Sequence, residues 1–62
     1  MYLKNRTTIT EGNENNLVAE EEVSWANDKV CGQTVTIKGR RYTIRVISPQ
    51  GGDVKVIVDK AP

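Results

Sequence analysis

Apolar and polar residues alternate in three runs of the second half of the chain: Thr34-Val35-Thr36-Ile37-Lys38, Arg41-Tyr42-Thr43-Ile44-Arg45-Val46-Ile47, and Asp53-Val54-Lys55-Val56-Ile57-Val58-Asp59. A period of two sends successive side chains to opposite faces, so each run predicts a strand with one buried and one wet face. Gly39-Arg40 serves as a two-residue connection, and Gly at the first central position suits a type II′ turn. That turn pairs Ile37 with Tyr42 and Val35 with Ile44, which places all four on one face. Ser48 to Gly52 supplies a longer turn, and the third run adds Val54, Val56 and Val58 to the same face. An antiparallel meander over 33–59 is therefore the expected folding core.

The first half carries a weaker pattern. Residues 2–9 lean toward strand through Thr, Ile and Tyr, and predict an edge strand or an arm that orders on contact. Residues 11–16 read as a polar, Asn-rich loop. At helical spacing Ala19, Val23, Ala26 and Val30 fall together, with Val18 and Trp25 beside them. Asn15 or Asn16 suits an N-cap, and Gly32 suits the position just past a helix end. A helix over 17–30 follows; the competing reading is a strand over 21–26 with Val23 and Trp25 facing inward. The expected fold is α+β in one domain spanning 1–62: a short helix packed on a three- to four-stranded antiparallel meander. Its alternative is a small all-β SH3-like barrel.

Composition narrows the energetics. The chain has 62 residues, no Phe, one Trp and two Tyr, so the core must rest on Val and Ile. Chains this short bury only about 60% of their unfolded surface, and many lean on a partner or a second copy. Cys31 is the only cysteine, which rules out an intrachain disulfide. It reads as a small buried group between helix and sheet, and a lone thiol fits a reducing cytoplasm. No apolar run reaches signal-peptide or membrane-spanning length, so a soluble, cytoplasmic protein with no membrane partner is expected.

Charge is divided along the chain. Residues 1–31 hold three cations and six carboxylates, and residues 32–62 hold six cations and two carboxylates. Such polarity bears on association more than on fold.

Little here points to catalysis. Histidine, the commonest general base and metal ligand, is missing from the chain. Glu20, Glu21 and Glu22 on a helix would diverge by about 100° each and not converge on one ion. No catalytic residue, metal, cofactor or small-molecule substrate is expected, and the chain is not read as an enzyme.

What remains is the outward face of the meander. The candidate binding residues are Lys38, Arg40, Arg41, Arg45, Ile47, Lys55 and Ile57. Like charges facing one another weaken a sheet, so a sheet that keeps them is suited to an anionic partner. The plainer account is that outward Lys and Arg guard against edge aggregation, or are neutralised within the chain. The expected function is a nonenzymatic binding or regulatory module that meets a protein partner, or its own copy, on this basic, Ile-containing face. The alternative is a nucleic-acid-binding module with Lys38, Arg40, Arg41, Arg45 and Lys55 on phosphates, against which the near-neutral net charge weighs.

Overall fold

A computed structural model describes residues 5–12 and 16–61. Among them are five strands: β1 (Arg6–Glu11), β2 (Asn16–Glu22), β3 (Thr34–Ile37), β4 (Arg40–Gln50) and β5 (Asp53–Lys60). One five-residue helix, α1 (Val23–Asn27), joins β2 to the second half. The strands form a single sheet in the order β2-β1-β5-β4-β3. Neighbours are antiparallel except β1 and β5, which run parallel. The sheet curls into a half-barrel.

This replaces the expected helix on an antiparallel meander. At 67% strand with one short helix, the molecule is not a helix-on-meander α+β fold. The all-β alternative errs elsewhere: the sheet is mixed and only half closed, and residues 23–26 of its extra strand are helical. Residues 16–22 pair with β1, and Ala19 is buried opposite Ile9. A helix over 17–30 would have buried Val30 with Ala19, yet Val30 is 63% exposed. Cross-strand pairing outweighed a helical pattern resting on two alanines and two valines. What survives of the helix is one turn with Ala26 buried, too short to persist without packing.

The N-terminal strand is also reassigned. It is not an edge: β1 lies inside the sheet between β2 and β5. The beginning of the predicted 2–9 segment and residues 13–15 of the polar loop lie outside the described residues.

The C-terminal strands keep their expected faces as far as Ile44 in β4, but not their turns. Lys38 and Gly39, with φ of 52° and 80°, occupy the centre of a two-residue turn closed by Ile37 and Arg40. Two successive positive φ values mark type I′, which matches strand twist better, so the turn sits one residue earlier than expected. Val35 therefore faces Tyr42 instead of Ile44. A slip of two residues preserves side-chain parity, and Val35, Ile37, Tyr42 and Ile44 are all buried. Between β4 and β5, Gly51 and Gly52 alone make the turn, with both φ positive.

The core sits on the concave face. Ile9, Val56 and Val58 are wholly inaccessible and Ile44 nearly so, with Trp25, Val18, Ile47 and Val54 packed against this cluster. Thr7 is fully buried among them, and its hydroxyl donates to the Glu22 carbonyl at 3.0 Å. Cys31, expected inside, lies exposed in the turn after Val30. The Val30 amide donates to the Gln33 side chain and the Gly32 amide to the Ile44 carbonyl, so this turn is tied down by polar bonds.

Candidate functional site

The convex face is organised by two β-bulges. In β4, Ile44 faces Val58 and Val46 faces Ile57, which leaves Arg45 as the extra residue. In β2, Ala19 faces Ile9 and Leu17 faces Thr10, which leaves Val18 extra. A bulge inverts the alternation beyond it. Ile47, which strict alternation places outward beside Ile57, instead faces Val56 and packs on the core. Val46 takes the outward position.

The registers then align one row across four strands. Leu17 faces Thr10, Thr10 faces Ile57, and Ile57 faces Val46. Leu17 is 60% exposed, Val46 is 39% exposed and Ile57 is half-buried. This is an aliphatic row lying outside the core, with a threonine in its middle. Beside it runs a polar row of Glu20, Thr8, Lys55 and Ser48.

Thr10 is anomalous. It is 4% exposed, and its hydroxyl oxygen is buried with no hydrogen-bond partner among the described residues. A buried, unmatched hydroxyl costs its desolvation, about 1–3 kcal/mol. Thr10→Val is therefore expected to stabilise the protein by about 1 kcal/mol, raising the thermal midpoint by roughly 4–8 °C. A lowered midpoint on calorimetry would show that the hydroxyl is satisfied in solution.

The predicted cations do not form one patch. Arg45, the bulge residue, is neutralised within the chain: its guanidinium lies 3.4 Å from the Asp59 carboxylate and donates to the Gly12 carbonyl. Lys55 is half-buried and already engaged. Arg6, not singled out by sequence, pairs with Glu20 at 2.8 Å. Lys38, Arg40 and Arg41 are exposed at the β3–β4 hairpin and have no ion pair among the described residues. Arg41 faces outward opposite Thr36, whereas Arg40 shares the side of Ile37. Exposed pairs such as Arg6–Glu20 contribute little each, but they remove field from the face they occupy.

The rest of the surface is modest. Lys29 lies 4.8 Å from the centre of the Trp25 ring and 3.0 Å from Asp28. Its hydrogen bond and then its charge hold the Asp28 carboxyl below the usual range. Two shallow hollows of about 310 and 290 Å³ sit at the lower limit for small-ligand sites. One is lined by Arg6 and Glu20–Glu22, the other by Thr8, Thr10, Gln50 and Lys55. Among the described residues no three acidic or cysteine side chains gather as a metal site, and no helix is long and apolar enough to cross a membrane.

The missed element is Val46 with Leu17. Alternation alone points Val46 inward, and nothing in the residue types announces the bulge. No protein-family model, curated protein or solved structure matches the chain.

Proposed function

We infer that this protein is a nonenzymatic binding module that docks a protein partner on its convex sheet face. The observation that carries this reading is the row of Leu17, Ile57 and Val46 on one outward face, exposed at its two ends, half-buried at Ile57 and interrupted on β1 by the buried Thr10. Single exposed aliphatics are ordinary, but an aligned row suits a contact surface. Lys38 and Arg41, without an ion pair among the described residues and at the β3–β4 hairpin, favour a partner that carries acidic as well as apolar groups. With Arg45 and Lys55 already engaged, a phosphate backbone would meet few free cations. An exposed thiol at Cys31 supports a reducing, cytoplasmic setting.

The test is parallel capture from the source cell with the wild type and Val46→Asp, both shown to be folded by circular dichroism. A protein retained by the wild type and lost by Val46→Asp supports the reading. Equal retention by both overturns it. A labelled oligonucleotide that binds tightly at low salt, with affinity falling steeply as salt rises, would put nucleic acid in its place.

A further inference from the structure

We propose that the open edge of β3 takes up an extended peptide as an added strand, antiparallel to β3 and with acidic residues at its N-terminal end. This surface is the border of the sheet, separate from the convex row, and stands on its own observations. β3 is the last strand on its side of the sheet. The two-residue turn at Lys38 and Gly39 makes Ile37 and Arg40 a hydrogen-bonded pair, and the Ile44 amide donates to the Gln33 carbonyl at 2.9 Å. Antiparallel alternation between these two points turns the amides and carbonyls of Thr34 and Thr36 away from β4, toward the open side. An incoming strand thus meets two donors and two acceptors.

The two borders of the sheet are not alike. β2 carries the bulge at Val18 and a run of glutamates from Glu20 to Glu22, and both features discourage an added strand. β3 reads Thr-Val-Thr-Ile, with no charge, no proline and no bulge. Its one guard is its length of four residues, so the match with a partner must be as short. Main-chain bonds then supply affinity, and alternate side chains supply specificity.

Position dictates the chemistry of the partner. Residues opposite Val35 and Ile37 would lie on the core face, beside side chains only 8% and 6% exposed, and should be apolar. A residue opposite Thr36 would lie on the outer face, with Arg41 one strand beyond. Two strand spacings put it about 10 Å from Arg41 across a short threonine, a gap that an extended arginine and a glutamate close together. The residue two places earlier in the partner comes level with Lys38. Lys38 and Arg41 are exposed and have no ion pair among the described residues. An antiparallel partner meets them with its first residues, so its carboxylates belong there. A second copy of β3 fits poorly, because it brings no carboxylate and its hairpin adds more cations.

The probe is the peptide acetyl-Glu-Val-Glu-Val-Thr-amide, titrated into isotope-labelled protein and followed by nuclear magnetic resonance. Binding is expected at about 1 mM or tighter, the range that a few exposed backbone bonds support. It should shift the Thr34 and Thr36 amides and slow their hydrogen exchange, leaving β2 unmoved. Exchanging both glutamates for lysine, or Arg41→Glu in the protein, should weaken binding roughly tenfold. Methylating the backbone nitrogens of the third and fifth peptide residues, which face β3, should abolish it. Thr36→Pro removes one outward amide without touching the β4 ladder, and should fold but not bind. Should that variant not fold, the methylated peptide decides on the unaltered protein. No shift at millimolar peptide, equal binding of the lysine or methylated peptide, or shifts centred on β2 would each overturn the proposal. A wild type that weighs as a dimer, and as a monomer once Thr36→Pro is made, would give the edge to a second copy and overturn it too.

Discussion

Ile9→Ala is expected to destabilise the protein by about 2–5 kcal/mol. Ile9 is wholly inaccessible on β1, with Ala19 on one side and Val56 on the other. Truncating a buried isoleucine to alanine costs about 2–5 kcal/mol, and the upper part of that range applies where the surroundings cannot collapse. Here the neighbours are backbone-anchored strands on both sides. A chain of 62 residues has roughly 3–9 kcal/mol of total stability at typical values per residue. Three side-chain carbons thus account for a large share of what holds the molecule folded. Urea titration followed by tryptophan fluorescence at Trp25 measures the effect. A loss below about 1 kcal/mol would mean that β1 is not an interior strand.

The second large effect separates the bulged register from simple alternation. Ile47→Asp is expected to destabilise by roughly 2–3 kcal/mol, because it sets a carboxylate against the Val56 side of the core. Val46→Asp, on the exposed face, should change stability by less than about 1 kcal/mol. Strict alternation from Ile44 predicts the reverse order, so the pair of variants reads the bulge directly. Equal effects at the two positions would mean that the strand samples both registers.

These contrasts show what residue patterns carry and what they leave out. Val35, Ile37, Tyr42, Ile44, Val56 and Val58 share one buried face, as alternation predicts, because a period-two pattern speaks directly about faces. It does not speak about turn placement: Gly39 fits either central position, and the choice fell to the conformation that Lys38 accepts at positive φ. The helix over 17–30 failed because Ala19 and Val18 fit both periods, and the deciding influence was β1, a strand distant in space until the chain folds. Alternation places Arg45 on a cationic face, yet Asp59 and the Gly12 carbonyl take it up. Among the described residues, Lys38, Arg40 and Arg41 are the members of that face without an ion pair. The proposed contact row depends on a bulge that leaves no mark in residue type.

The parallel pairing of β1 with β5 has a consequence for how the chain reaches its structure. Thr7 meets Val54 and Glu11 meets Val58, so the middle of the sheet is assembled from the first and fifth strands in chain order. All the chain between these strands must be looped before this junction gains anything, and loop closure over such a span slows the search for the native state. The hairpins β1–β2 and β3–β4 can form early from local contacts, but an isolated two-stranded unit is marginal in water. During synthesis the N-terminal hairpin must wait until β5 has left the ribosome. Folding of this sheet is thus expected to be slow for its size and to occur as a single event after β5 emerges.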